Sequence, residues 1–271
     1  LAKVDALLAK EKPDAVLVLG DTNSALSVYA AKRRKIPVFH MEAGNRCFDE
    51  RVPEEVNRRI VDHTSDINLV YSDRARDYLL REGFPPDRVI KIGSPMCEVL
   101  AAHAGEIEQS TTLADHKVKK GEYFVASIHR EENVGNPSHF SGLMDVLTCV
   151  AEKHGKPVLV STHPRTRQKL EEAGIALPDT VRFLKPLGFL DYIQLQKNAA
   201  CVLSDSGTIS EEASILNFPA VNLREAHERA EAMDETVVTL AGVKPERVLE
   251  AVELAMAYRY GAERDFSIVP E

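Results

Sequence analysis

Cysteine is sparse and unpaired in this sequence. Cys47, Cys97, Cys149 and Cys201 lie far apart, and no C-x-x-C occurs. A zinc site or dithiol centre is therefore not expected, whereas reduced thiols in a cytoplasmic protein are. No apolar run approaches the roughly 20 residues needed to cross a bilayer. The opening Leu1-Ala-Lys-Val-Asp5 also lacks the basic-then-apolar order of a signal peptide, so membrane insertion is not expected. A basic surplus is missing too: 34 Lys and Arg against 42 Asp and Glu leave a net charge of −8. Nucleic acid and anionic membrane surfaces are poor partners for such a chain. Motif absences narrow the chemistry further. Without G-x-x-x-x-G-K-[ST] there is no P-loop, and without G-x-G-x-x-G after a strand there is no fingerprint of a tightly held nicotinamide. Neither G-x-S-x-G nor H-E-x-x-H is present, and there is no low-complexity tract or short-period repeat.

What the chain does have is length and apolar content for two cores, at 271 residues and 44% hydrophobic. Strands are predicted at Ala15–Leu19, Pro37–His40, Ile67–Val70, Val89–Ile92, Tyr123–Ile128, Pro157–Val160, Val181–Leu184, Cys201–Leu203 and Ala220–Leu223. Ser24–Arg34, Arg74–Arg81, Phe140–Lys153 and Glu246–Tyr258 read as helices between or after them. Short β-branched runs without polar alternation suit strands covered on both faces, hence parallel sheets in an α/β protein. A junction is expected near Gly93-Ser-Pro95, with one domain at 1–96 and another at 97–271; the polar stretch Gly105–Gly121 follows it. The first domain offers about four strands where doubly wound sheets commonly carry five or six. With no initiator Met, it is expected to be truncated at its N-terminus, a natural small domain being the alternative.

Ligands in such sheets collect at the carboxyl ends of strands. Those ends are polar here: Gly20-Asp-Thr-Asn-Ser24, His40-Met-Glu-Ala-Gly-Asn-Arg46, His129-Arg-Glu-Glu-Asn133, Ser161-Thr-His-Pro-Arg165 and Asp205-Ser-Gly207. All five are expected to face one crevice between two domains. Asp21, Glu42 and the Glu54-Glu55 pair after Pro53 suit proton transfer, because crowded or half-buried carboxyls titrate nearer neutrality. Their plainer readings are a helix cap for Asp21 and a helix-dipole complement for Glu54 and Glu55. His129 followed by Arg130 would meet a diphosphate well, and His163 with Arg165 is a weaker version of that pattern. His40, on the strand itself, reads as structural, and Asp62-His63 as a local pair within a helix. The run Val202–Ala213 reads as a buried strand, a Ser206-Gly207 turn and an acidic helix start. Outward N–H groups there suit a phosphate, and Glu212 a ribose; an ordinary turn capped by Asp205 or Ser206 is the alternative.

Together, Gly20-Asp-Thr-Asn23, His40-Met-Glu-Ala-Gly44, Pro53-Glu-Glu-Val-Asn-Arg58, His129-Arg-Glu-Glu-Asn133 and Asp205-Ser-Gly-Thr-Ile-Ser-Glu-Glu212 resemble the non-hydrolysing UDP-N-acetylglucosamine 2-epimerase family. The resemblance implies a GT-B-like fold of two Rossmann-like domains facing a central cleft, acid/base groups on the first and UDP on the second. Gly44-Asn-Arg-Cys-Phe-Asp49, Ser206-Gly-Thr208 and Asn222–Arg229 look like the branch that makes UDP-N-acetyl-L-fucosamine from UDP-2-acetamido-2,6-dideoxy-L-talose for capsule and O-antigen precursors. The implied reaction uses neither redox cofactor nor metal. UDP leaves C1 as a base removes the C2 proton, giving a 2-acetamidoglycal, and UDP adds back as a proton reaches the other face. By match, Asp21, Glu42, Glu54 and His129 are catalytic, while His129, Arg130, Ser206, Gly207 and Glu212 hold UDP. A homodimer is implied as well. Arg130 and His163 also match a regulatory substrate site of main-family enzymes. Ala230 replaces an expected proline, and the family's amino-terminal strand and carboxyl-terminal helix are not seen, which leaves open whether the chain acts alone. A UDP-N-acetylglucosamine 2-epimerase, a GT-B glycosyltransferase and a non-catalytic nucleotide-sugar binder remain as alternatives.

Overall fold

A computed structural model describes residues 1–50, 52–128, 137–162, 166, 169–170, 175, 177–224 and 238–258. Leu1–Ser94 form one compact unit, and the described residues from Pro95 onward form another.

In the first unit the chain runs α1 (Ala2–Glu11), β1 (Val16–Leu19), a 3-10 turn (Asn23–Ser27), α2 (Val28–Arg33) and β2 (Val38–Met41). It continues through α3 (Pro53–Thr64), β3 (Ile67–Val70), α4 (Asp73–Arg81) and β4 (Val89–Lys91). The four strands are parallel and sequential, β1-β2-β3-β4. Boundaries have local causes. Pro53 opens α3, where an N–H would go unused, and Glu54 and Glu55 sit at the helix's positive end. Ser72 caps α4 by accepting the Ala75 N–H at 3.1 Å.

Helices cover one face of this sheet. Leu8, Val28, Ala31 and Val61 pack with Val16, Val18 and Val38, and Ala75 and Leu79 pack with Val70 and Val89. The strand register lines Leu17 up with Phe39 and Ile67, and Leu19 with Met41, Leu69 and Ile90, on the other face. Leu17 and Leu19 are 62% and 63% exposed. Among the described residues, the packed helices lie on the opposite face. Both faces are apolar in sequence, without polar alternation.

The second unit begins with three short helices, α5 (Met96–Ala102), α6 (Ala104–Gln109) and α7 (Thr112–Asp115), partly where a polar stretch was expected. Their apolar stripe explains the difference: Leu100 and Ile107 bury against Ile193. There follow β5 (Phe124–Ile128), α8 (Pro137–His154), β6 (Val158–Thr162), β7 (Val181–Leu184), α9 (Phe189–Asn198) and β8 (Cys201–Ser204). The unit ends with α10 (Ile209–Leu216), β9 (Ala220–Asn222), β10 (Val238–Leu240) and α11 (Pro245–Tyr258). Strand β10, only three residues long, was not predicted. All six strands are parallel in the order β10-β9-β8-β5-β6-β7. Here both faces are covered. Leu143, Leu147, Val248 and Val252 pack on one side, and Leu195, Ala199, Ile209 and Ala213 on the other. Each fully buried aliphatic side chain of this kind contributes about 1.5–3 kcal/mol. From β5 the chain winds out through β6 and β7, and from β8 through β9 and β10. The connection direction thus reverses between β5 and β8, and a ligand crevice opens at such a reversal.

Gly44 fixes how the loop after β2 meets α4. Its φ is +80°, and a Cβ there would lie 2.5 Å from the Ala75 carbonyl oxygen. Gly44→Ala is expected to cost about 2–4 kcal/mol in urea unfolding, since backbone strain and overpacking add. A change below about 0.5 kcal/mol, the range of an ordinary surface site, would contradict this packing.

Candidate active site

Two polar edges lie at the carboxyl ends of the two sheets. In the first unit, Leu19 and Met41 are paired in register, and the Gly20 N–H donates to the Met41 carbonyl at 3.1 Å. Asp21 and Glu42 therefore leave adjacent strand ends. Both turns use left-handed backbone, with Gly20 at φ +73° and Glu42 at +66°. That conformation is easy for glycine and strained for glutamate, and such strain clusters at functional sites. Glu42 Oε2 lies 3.5 Å from where a Cβ on Gly20 would stand, an ordinary contact, so the backbone conformation rather than space calls for glycine there.

Arg58, one helical turn after Glu54 on α3, organises this edge. Its Nε and Nη2 donate to Asp21 Oδ2 at 2.9 and 2.6 Å, and its Nη1 to Glu55 Oε2 at 2.8 Å. Asn57 Nδ2 donates to the Asp21 carbonyl at 3.0 Å and to Asn23 Oδ1 at 3.1 Å. Glu55 is buried and saturated. Besides Arg58, it accepts the Cys47 N–H at 3.1 Å and Arg59 Nη2 at 3.0 Å. It is an anchor, well beyond the helix-dipole role considered from the sequence. Glu54 is half-buried on the first turn of α3. Burial, with the Glu55 carboxylate beside it, pushes the Cys47 thiol up.

Beneath these turns runs a second polar chain. His40 and Asp62 are fully buried and 2.8 Å apart. Arg46 donates to Asp62 at 2.7 Å and makes a two-point pair with Glu82 at 2.8 and 2.7 Å. His40 is structural, as expected. The local Asp62–His63 pair is not formed: Asp62 turns into the core, while His63 reaches Glu82 at 3.0 Å. Adjacent helix positions point about 100° apart, which separates them.

In the second unit the turn after β8 is pinned from both neighbouring strands. The Asp205 N–H donates to the Ser127 carbonyl at 3.2 Å, and the Leu223 N–H to the Ser204 carbonyl at 2.9 Å. Asp205 is buried, and the Ser206 hydroxyl accepts the Thr208 N–H at 3.3 Å. Glu212 lies one turn into α10 and is 7% exposed. It accepts Thr208 Oγ1 and Gln196 Nε2, both at 2.8 Å. Burial raises its carboxyl above the usual range, against the lowering by those two donors. Along the same edge, Arg224, Lys244 and Arg247 line a cavity of about 230 Å³. His129, Arg130, His163, Arg165, Arg229 and Ala230 lie outside the described residues. Arg58, Asn57 and Gln196 were missed from the sequence. The spacing of Glu54, Asn57 and Arg58, three and four apart on α3, is the signal that could have found the first two.

The family model described as UDP-N-acetylglucosamine 2-epimerase matches residues 1–265. The chain belongs to this family. It is an isomerase, a UDP-sugar 2-epimerase, built from two parallel-sheet α/β domains of the GT-B-like kind. The solved UDP-N-acetylglucosamine 2-epimerase of Rickettsia bellii is 48% identical with a TM-score of 0.91, over 98% of this chain and 72% of that one. That of Methanocaldococcus jannaschii, in complex with UDP-GlcNAc and UDP, is 33% identical with a TM-score of 0.88, over 94% and 72%. The UDP-2,3-diacetamido-2,3-dideoxy-D-glucuronate 2-epimerase of Pseudomonas aeruginosa is 32% identical over 94% of this chain and 71% of its own length. Enzymes of this likeness thus differ in the sugar named.

The raised Glu212 carboxyl gives a pH signature. Its protonated form is favoured by the fold, so this contribution is present below the unfolded carboxyl range and lost as pH rises through the raised value. Glu212→Gln removes the titration, and the rotated amide of Gln196 can offer it Oε1, which has no partner among the described residues. Urea midpoints against pH should fall more for the parent than for Glu212→Gln on going from acid to neutral. Parallel curves would contradict the burial.

Proposed function

We propose that this enzyme inverts C2 of a UDP-2-acetamido sugar by eliminating and re-adding UDP. The C1–oxygen bond breaks with its electron pair leaving on UDP, and a carboxylate takes the C2 proton, leaving a 2-acetamidoglycal. Protonation of C2 from the other face and return of UDP to C1 complete the inversion. One observation carries this reading: the adjacency of Asp21 and Glu42 on neighbouring strand ends, the first gripped by Arg58. The C2 proton is weakly acidic, so bond breaking at C1 leads and positive charge grows on the ring, which fixed carboxylates stabilise. Asp21, Glu42 and Glu54 supply the acid/base and charge-stabilising groups, with His129.

Ser206, Gly207 and the N–H groups around them take the diphosphate, with His129 and Arg130, and Glu212 the ribose. The turn's position at the sheet's reversal point and the nearby cationic cavity support this assignment. The sugar we favour is UDP-2-acetamido-2,6-dideoxy-L-talose, giving UDP-N-acetyl-L-fucosamine for capsule or O-antigen precursors in the cytoplasm, by a homodimer. Its support is the run Gly44–Asp49 and the Thr208 of the second-domain turn. UDP-N-acetylglucosamine is the second reading, supported by the names of the Rickettsia and Methanocaldococcus enzymes.

Incubation with each UDP-sugar in deuterated water, followed by NMR, tests the reading. Deuterium at C2 with inverted configuration is expected, fastest with the L-talo sugar. Exchange with UDP-N-acetylglucosamine alone would transfer the assignment to the second reading, and UDP binding without exchange would refute epimerisation. Asp21→Asn should lower kcat by at least about 100-fold, the usual scale for an acid/base group, with UDP affinity held within a few-fold. Loss of affinity instead would make Asp21 a binding residue.

A further inference from the structure

His40 sits below the two turns that deliver Asp21 and Glu42. Its Nδ1 is 2.8 Å from Asp62 Oδ1 and its Nε2 is 3.0 Å from the Gly20 carbonyl oxygen. Asp62 in turn receives the Gly44 N–H, 3.3 Å from both carboxylate oxygens, and Arg46 Nη1 at 2.7 Å. One buried imidazole–carboxylate pair therefore ties down the left-handed glycine before Asp21 and the one two residues after Glu42. A carbonyl oxygen only accepts, so the ring makes the bond to Gly20 by donating from Nε2.

We propose that His40 is a positioning residue for the epimerase reaction: held by Asp62 at Nδ1, it clamps the Gly20 carbonyl through Nε2 and so aims Asp21 and Glu42. This rests on the assignment of those two carboxylates to the chemistry. The physical reason for its weight is geometric. Gly20 is the one position in this turn with free rotation into other backbone conformations, and a carboxylate displaced by about 1 Å loses about 100-fold in rate. The ring acts on Asp21 through the Gly20 backbone.

Two substitutions separate the hands of the clamp. Asparagine places its amide near the imidazole Nδ1 position and keeps a donor to Asp62, but falls short of Gly20. Glutamine reaches the Nε2 position and keeps the donor to Gly20. In the full-length enzyme, His40→Asn should lose about 100-fold in kcat with KM within about 3-fold, because only the reacting geometry changes. His40→Gln should stay within about 10-fold of the parent kcat, even where the two variants unfold at the same urea concentration. Equal losses that track stability would reduce His40 to a core residue and overturn the proposal, as would a parent-like His40→Asn. A second readout needs no turnover. Imidazole ¹H–¹⁵N NMR should show a slowly exchanging ring proton on His40 Nε2, and its absence would contradict the clamp. If the parent enzyme turned over no UDP-sugar, the functional reading would fall while the Nε2 proton signal still decided the clamp.

Discussion

A guanidinium sealed from water governs the first unit's polar edge. Arg58 spends its Nε and both terminal nitrogens on Asp21 and Glu55. A buried charge is tolerable only when its donors are matched, and stripping one partner from such a pair costs about 3–5 kcal/mol. The match is therefore obligatory in the folded chain, and it ties the turn after β1 to the first turns of α3. Glu55 extends the tie to the Cys47 backbone and to Arg59. The turn after β1, the segment at Cys47 and the start of α3 thereby become one rigid edge. Rigidity of this kind is what a carboxylate needs if it is to meet a transition state without reorganising.

The second unit solves a different problem by different means. Its turn after β8 is fixed by backbone bonds from β5 and β9, leaving the Ser206–Thr208 region at the point where the sheet's winding reverses. Glu212 is held by neutral donors, Thr208 and Gln196, and no arginine neutralises it there among the described contacts. A carboxylate so placed keeps lone pairs for hydroxyl donors while remaining costly to ionise. The first unit compensates its buried charges internally; the second keeps an acceptor in reserve. That contrast fits a division between groups that handle developing charge and groups that hold a nucleotide.

Much of this was legible in the residues. Strand ends announce themselves by abrupt changes from Val, Leu and Ile to Gly, Asp, Glu or Ser, so Asp21, Glu42 and Ser206 could be placed at carboxyl edges before any coordinates. Parallel pairing followed from the lack of polar alternation. The partners of the charged residues were not legible. Arg58 and Asp21 are 37 residues apart and Arg46 and Glu82 are 36 apart, and no helical or strand period connects such positions. Nor could the sequence say which face the described helices pack on, since Leu17 and Leu19 have the same apolar character as their half-buried neighbours Val16 and Val18. The short helices between Met96 and Asp115 were hidden for the opposite reason: few apolar residues suffice when they lie on one stripe.

The central claim is that Asp21 and Glu42 serve a reaction in which the bond between C1 and UDP breaks. Positional isotope exchange tests that bond directly, using UDP-sugar carrying ¹⁸O at the bridge between C1 and the β-phosphorus. The account predicts that the label scrambles into non-bridging β-phosphate positions in recovered substrate and in epimerised product. Inversion at C2 with the label still wholly in the bridge would contradict it.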